Sequence, residues 1–364
     1  MMPEPLFLFI TLLYVIQVAV FVYGVRKTRD RMFPDSSPIV SVIIAARNEE
    51  AMLSACLDAV MNQTYPRDRY EVIVADDGST DRTASICDVF SNRFKNLQSF
   101  TAKEDLQLRG KTNALAQAID KAQGEIIMIT DADCIVPPTW IEHTARRYGP
   151  GIGLVGGVTL QKTSGAFEGM QSLDWGYILG IASSTAALGI PLGSIGNNLS
   201  FRKEAYNKVG GYRNLKFSVT EDYTLVQAIL SLRAWDYLYP IDEHVLVLSQ
   251  PCPTFRALLQ QKHRWGTGGL DMKLFGFLIM IIGFSMHASL LWNLIWFGIP
   301  STVMMLMLKC IADYTFLWHV LTRLKRTDEL KYFYWFQLYY CLYVLALPFL
   351  VFLGGRVSWK GRKY

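Results

Sequence analysis

Paired cysteines are absent from this sequence. Cys56, Cys87, Cys134, Cys252, Cys310 and Cys341 are dispersed, with no C-x-x-C pair and no His beside them at metal-ligand spacing. That excludes a disulfide framework or a cysteine-based zinc site as an organising feature, and free thiols in a reducing compartment are expected. Charge is scarce as well: 18% of the 364 residues are charged against 51% hydrophobic, a balance too apolar for a purely soluble enzyme. The net charge is only +5, and Lys and Arg collect beside apolar runs instead of forming one long basic stripe. This argues against nucleic acid as a partner and for a membrane bilayer.

The charge-free runs locate that membrane. Residues 6–25 carry no charge and are long enough to cross a hydrocarbon core of about 30 Å as a helix. Arg26, Lys27, Arg29 and Arg31 follow at once, while the residues before the run carry Glu4 and no positive charge, and no small-residue cleavage site follows. An anchor whose C-terminal flank is cytoplasmic fits better than a cleaved signal peptide. Residues 274–308 contain no Asp, Glu, Lys or Arg; as one helix they would extend about 50 Å, too far for one crossing. Two crossings are expected, with a break near residues 293–300 and the second running on to about Trp318. Lys309 and Asp313 then share one helix face, where each offsets the other's burial. A further uncharged run covers 332–355. The basic loop 323–331 and the tail with Arg356, Lys360, Arg362 and Lys363 both favour the cytoplasm, yet a full crossing by 332–355 would separate them. A re-entrant segment bent at Pro348, or a single crossing by 274–318, would reconcile them, so two or three C-terminal segments stay open. The expected organisation is an anchor over 1–27, a cytoplasmic domain over 28–273, a membrane region over 274–355 and a basic tail over 356–364. Such a chain is a multi-pass protein of the cell (inner) membrane.

Between these runs strand and helix signals alternate. Strands are expected over 39–46, 70–75, 97–101 and 125–130, and helices over 50–63, 81–90 and 111–122, which implies an α/β fold with a parallel sheet covered on both faces. Ligands of such sheets bind beyond the carboxyl ends of the strands. Three acidic clusters stand there. In Asp76-Asp77-Gly78-Ser79-Thr80-Asp81 the last three residues read as a turn and helix cap, but two adjacent carboxylates before the glycine exceed what a cap needs. Asp77 is the one expected to face the ligand crevice. Asp131-Ala132-Asp133 follows the apolar strand 125–130, so both carboxylates can reach one hard divalent cation. Thr220-Glu221-Asp222 opens an apolar helix and reads equally as a capped helix start or as the place of a general base. Lys111 opens the helix behind Arg109-Gly110, a ready phosphate site. The stretch Gln260 to Trp265 is amphipathic, with an interfacial Trp and snorkelling cations as an adequate structural account. The uncharged run 176–192 is not read as a crossing, because a single span there would put Asp131 and Asp222 on opposite sides of the bilayer. It is expected within the domain or along the membrane surface.

Taken in order, these segments resemble the membrane-bound family 2 inverting glycosyltransferases of GT-A fold, the branch that includes ceramide glucosyltransferases and cellulose and hyaluronan synthases. The resemblance covers about Val40 to Trp265. It rests on S-V-I-I-A-A-R-N-E-E from Ser41, A-D-D-G-S-T-D from Ala75, R-G-K-T-N-A-L from Arg109, D-A-D from Asp131, G-N-N-L-S-F-R-K from Gly196, T-E-D from Thr220 and Q-K-H-R-W from Gln261. It implies a Rossmann-like nucleotide-diphospho-sugar transferase domain between N- and C-terminal transmembrane helices. By residue, it implies that Asp77 contacts base or ribose, Lys111 the diphosphate, and Asp131 and Asp133 the nucleotide and its Mg2+ or Mn2+. Asp222, with Asp133, belongs to the catalytic set and activates the acceptor. Gln261, Arg264 and Trp265 match the family's Q-x-x-R-W, with Arg264 on the diphosphate and Gln261, Trp265 and Glu221 toward the acceptor. The expected partners are a nucleotide-sugar, UDP-sugar by default, and a lipid or saccharide acceptor. A processive polysaccharide synthase is the alternative. A glycoside hydrolase would leave the phosphate and metal groups without use, and a non-catalytic scaffold would not need Asp131, Asp133 and Asp222.

Overall fold

The computed structural model describes residues 5–28, 31–34, 36–216, 218, 220–270, 272–353, 358–359 and 362–363; Arg29 and the tail residues Arg356 and Lys360, to which an orientation role is given above, lie outside them. Along the chain the elements are α1 (Pro5–Lys27), β1 (Val40–Ala46), α2 (Leu53–Met61), β2 (Tyr70–Asp76), α3 (Thr83–Arg93), β3 (Leu97–Thr101), α4 (Gly110–Lys121) and β4 (Ile126–Asp131). Next come α5 (Trp140–Ala145), β5 (Ile152–Gly156), β6 (Thr159–Gln161), α6 (Ala166–Ala187), β7 (Leu199–Arg202), α7 (Lys203–Lys208), α8 (Glu221–Ser231), β8 (Asp236–Leu238) and β9 (Val247–Ser249). Then follow α9 (Phe255–Gly269), α10 (Leu274–Trp296), α11 (Ile299–Arg323), α12 (Phe333–Leu353) and a short strand pair, β10 (Ser358–Trp359) and β11 (Arg362–Lys363). Two compact units result: a sheet unit of Arg29–Leu160 and Gly193–Gln250, and a helical unit of Met1–Thr28, Gln161–Leu192 and Pro251–Tyr364.

The sheet unit carries seven strands in the order β3-β2-β1-β4-β7-β5-β8. Strict alternation along the strands sorts two cores. Val42, Ile44, Val72, Val74 and Met128 face one side, under Leu57 and Val60 of α2 and Ile141 of α5. Ile43, Ile73, Ile127 and Ile129 face the other, under Leu115 and Ile119 of α4 and Val226 and Ile229 of α8. Burial on both faces is why these strands read as continuous apolar runs. The parallel sheet expected from the alternation holds for β3, β2, β1 and β4. It fails at β7, which runs antiparallel to both β4 and β5. A four-residue strand entered after the 22-residue helix α6 gives no sequence signal of its direction. The chain winds outward from β1 to β3 and then returns to place β4 on the other side of β1, so a switch point lies between the carboxyl ends of β1 and β4.

The helical unit holds four helices long and apolar enough to cross a membrane, α1, α10, α11 and the stretch Thr327–Leu353 that contains α12. α1 and α11 run side by side in one direction: Arg323 donates to the Arg26 and Thr28 carbonyls at 3.3 Å each. α10 runs against them, since Phe297 near its end meets Phe7 near the start of α1 with ring centroids 5.7 Å apart. The break between α10 and α11 falls inside the expected window, at Gly298 with φ 88°, and Asn293 ties it by donating to Ser301 and Thr302 at 2.7 and 2.9 Å. Lys309 and Asp313 pair at 2.9 Å, both fully buried, and Asp313 also accepts from Tyr14, Tyr177 and Gln337. An ion pair inside an apolar helix bundle is tolerated on such terms, with both charges partnered.

α6 and α12 take a different course. α6 begins where Ser172 donates to Glu329 at 2.5 Å, just past the end of α11, and finishes against Gly24 and Thr28 at the end of α1. Both of its ends therefore sit at one end of the α1–α11 pair. α12 begins after Tyr332, beside Gly169 of α6, and its Leu347 and Val351 flank Gly266 of α9, eight residues before α10 starts. A Cβ on Gly266 would lie 2.6 Å from Val351. Although long enough to span, α12 has both ends at the same end of the bundle.

Candidate functional site

The sheet register builds the site. Ala45 of β1 pairs with Ala75 on one side and Asp131 on the other, and Ala46 pairs with Asp76. The first two acidic clusters thus leave the sheet at one level, on either side of the β1 end. Asp76 is spent on the turn, accepting from the Ser79 amide at 3.0 Å and its hydroxyl at 2.5 Å. Asp77, buried just past the β2 end, meets Arg47, which donates to its carbonyl at 2.6 Å and stands 3.6 Å from its carboxylate. The expected cap is displaced: α3 starts at Thr83, whose amide donates to Asp81 at 2.9 Å, whereas Ser79 and Thr80 bind Asn48 across the crevice. The loop after β1 takes up the Ser79 hydroxyl and the Thr80 amide, because it approaches from the adjacent strand.

Gly110, with φ 58°, lets the chain turn into α4, and Lys111 in its first turn reaches across to Asp131 at 2.5 Å and Glu221 at 3.6 Å. Burial opposes the charge of Lys111, but Asp131, Glu221 and Asp222 outweigh it and hold its pKa above the ordinary lysine value. Glu221 and Asp222 form the first turn of α8. Thr220 occupies the cap position, yet its hydroxyl meets Ser218 instead of an orphan amide, and Asp222 accepts from the Tyr223 amide at 2.8 Å. Burial first, and then the neighbouring Glu221, push the Asp222 carboxyl up to about 7, against the pull of Lys111 and the Gly196 amide. A Cβ on Gly196 would lie 3.4 Å from the Asp222 carboxylate, so its lack of a side chain permits the approach. A carboxyl poised near neutrality beside a cation is the protonation behaviour required of a general base. Asp133 sits two residues past β4, its carboxylate 3.5 Å from the Cys134 thiol. Burial and the nearby Asp133 and Asp131 push the Cys134 and Cys56 thiols up, so these cysteines are inert.

The structure therefore brings Lys111, Asp131, Glu221 and Asp222 together, with Asp133 beside Asp131 and Asp77 across the β1 end. Gln261, Arg264 and Trp265 lie on α9 of the helical unit. α9 is capped by Thr254 accepting from the Ala257 amide at 3.2 Å. Its inner side is fixed by Lys262, fully buried against Asp174 of α6, with the Lys262 ammonium 4.3 Å over the Trp265 ring. Arg47 and Gly196 were given no role from sequence; each lies inside a motif quoted above, but only the fold shows that one braces Asp77 and the other cradles Asp222.

Residues 41–213 match the family described as Glycosyl transferase family 2. Glycosyltransferase AglE of Haloferax volcanii is 29% identical over 246 residues, 65% of this chain and 74% of that protein. The beta-monoglucosyldiacylglycerol synthase of Nostoc sp. is 30% identical over 243 residues, but the chain spans only about half of it, 49%. The poly-beta-1,6-N-acetyl-D-glucosamine synthase of Staphylococcus epidermidis is 26% identical over 292 residues, 76% of this chain and 68% of that one. Among solved structures, a mannosyltransferase from Pyrobaculum calidifontis in complex with GDP-Man and Mn2+ superposes with a TM-score of 0.63 at 19% identity, covering 94% of this chain and 99% of that one. This last likeness establishes the fold.

Proposed function

The chain belongs to the family 2 glycosyltransferases, with a GT-A domain and apolar helices that associate it with a membrane, and on that footing we propose that it moves a single sugar from a nucleotide-diphosphate-sugar to the hydroxyl of a lipid-linked or membrane-embedded acceptor. The observation that carries this reading is Lys111 held between Asp131 and Glu221, with the near-neutral Asp222 beside it. A phosphate-binding cation and a base converge there at the ends of the strands.

Asp131 and Asp133 offer hard carboxylate oxygens two residues apart, a donor set suited to Mg2+ or Mn2+. Bound there with the nucleotide, such a cation acts as a Lewis acid on the departing diphosphate. Lys111 adds its charge to the leaving group, and Asp77, braced by Arg47, binds base or ribose. Asp222 takes the proton from the acceptor hydroxyl as that oxygen attacks the anomeric carbon from the face opposite the diphosphate, so configuration inverts. For Gln261, Arg264 and Trp265 the roles stay those that the Q-x-x-R-W match implies, diphosphate for Arg264 and acceptor for Gln261 and Trp265. UDP-sugar is the default donor. One relative is named for a glucosylated diacylglycerol and another for a polysaccharide, so the acceptor is the point to test. Detergent-solubilised protein should release nucleoside diphosphate from one nucleotide-sugar only when a membrane lipid extract and divalent metal are both present. Long polysaccharide formed without added lipid would reject single addition in favour of processive synthesis.

The course of α12 supports three crossings, by α1, α10 and α11, with the sheet unit on the cytoplasmic side of the cell membrane. Arg26, Lys27 and Arg323 collect at one end of the bundle, as the positive-inside rule requires. Because α12 returns to that end, the loop 323–331 and the basic tail after Leu353 share the cytoplasm, and the conflict between their charges disappears. A reporter fused after Tyr364 should be active only in its cytoplasmic form; a periplasm-active fusion would mean that α12 crosses.

A further inference from the structure

One cluster of metal-type donors lies away from every motif used above. α5 carries His143, and the turn before β9 carries Asp242 and His244, so the three residues come from segments about a hundred positions apart. One donor atom from each lies within 4.8 Å of the others. The His143 Nδ1 stands 3.6 Å from the Asp242 carboxylate, near the separation of about 3.3 Å between two ligands of a tetrahedral cation with bonds of about 2.0 Å. The two imidazole rings stack with centroids 4.2 Å apart.

The cluster is held from behind. Arg147, fully buried, donates to the His143 carbonyl and to the Asp242 carboxylate, both at 2.6 Å. The other oxygen of Asp242 accepts from the His244 amide at 3.0 Å, and Thr139 donates to the His244 carbonyl at 2.9 Å. Backbone and carboxylate are thus fixed, while the buried Nδ1 of His143 has no hydrogen-bond partner within 3.5 Å among the described residues, Asp242 standing just beyond at 3.6 Å. One shared cation can satisfy both rings and the carboxylate at this spacing.

We propose that His143, Asp242 and His244 bind a borderline divalent transition metal of the Zn2+ class, with water in the fourth position, as a clip between α5 and the strand β9 edge. Two imidazoles and one carboxylate select that class, whereas the all-oxygen pair Asp131 and Asp133 selects Mg2+ or Mn2+. Arg147 shares the Asp242 carboxylate, and its charge tempers the affinity. The clip does not depend on the reaction proposed above.

The test uses tag-free full-length protein in detergent, with Zn2+ or Co2+ alone as the probe. Wild type and Asp131→Asn/Asp133→Asn should each retain one equivalent of Zn2+ after dialysis, show the visible bands of four-coordinate Co2+ and unfold at higher temperature with Zn2+. His143→Gln/His244→Gln should lose the equivalent, the bands and the zinc-dependent shift. His244→Gln alone, at a half-exposed position, should weaken binding at least tenfold and guards against a misfolded double variant. Equal zinc retention and spectra in wild type and the histidine variants, or no retained zinc and no four-coordinate bands in wild type, would overturn the assignment.

Discussion

Replacing Asp222 with Asn is expected to lower kcat by about 10²–10⁴-fold, the usual contribution of a general base, while nucleotide-sugar affinity stays nearly unchanged. The amide keeps the volume and still accepts from the Tyr223 and Gly196 amides, but it cannot take the acceptor proton. Lys111, Asp131 and Asp133, to which the proposal assigns the diphosphate and cation, are untouched. The pH profile carries the same information. A base must be ionised to work, and the Asp222 carboxyl is pushed up to about 7, so kcat should fall as pH drops through that value. Glu221→Gln removes the second-largest cause of the upward shift and should move the acid limb to lower pH. The stability effect has the opposite sign: a folded pKa above the value of about 3.9 for an unfolded aspartate penalises the ionised folded state increasingly between those values. The Asn variant should therefore unfold at higher temperature than wild type at pH 8 and converge with it near pH 4. Wild-type turnover by Asp222→Asn, measured as nucleoside diphosphate release under saturating donor, would remove the base assignment.

The second large effect belongs to the helix that bears the Q-x-x-R-W residues. Lys262 and Asp174 are both fully buried in the helical unit, and the Tyr339 hydroxyl approaches the same carboxylate at 3.5 Å. Lys262→Met strands the Asp174 carboxylate, and breaking a buried pair in this way costs about 3–5 kcal/mol. Asp174→Leu combined with Lys262→Met removes both desolvated charges, and such replacements are often neutral or stabilising. Thermal unfolding in detergent should rank the single variant far below wild type and bring the double variant back close to it. A single variant as stable as wild type would show that the pair does not hold α9 against α6.

Much of this layout was legible from pattern. Apolar alternation in β1, β2 and β4 and the acids just beyond them placed Asp77 and Asp131 at one sheet edge, because register follows from side-chain period and the ends of parallel neighbours coincide. The Lys111 contacts were not legible, since pairing with Asp131 and Glu221 joins residues 20 and 110 positions apart. Helix α6 was half seen: the uncharged run from Gly176 is its later part, and its earlier part contains Asp174, whose partner lies 88 residues on. The start of α3 was misplaced because Ser79 and Thr80 look like caps to a local rule, and only the neighbouring loop at Asn48 shows otherwise. His143 and His244 gave no signal at all, being isolated in sequence and adjacent only once α5 and the turn before β9 are folded.

The return of α12 also gives the two halves of the helical bundle unequal girth. Among the described residues α1, α10 and α11 meet near Phe7 and Phe297, whereas α6 joins α1 and α11 near Gly24 and Arg323, and α12 and α9 pack on from there. Leu342, Phe349, Phe352 and Leu353 point outward from that added layer. Set in a bilayer, such a wedge displaces far more lipid from one leaflet than from the other. Acyl packing in the leaflet that meets this added layer, and with it membrane curvature, would then become part of the energy of seating the protein.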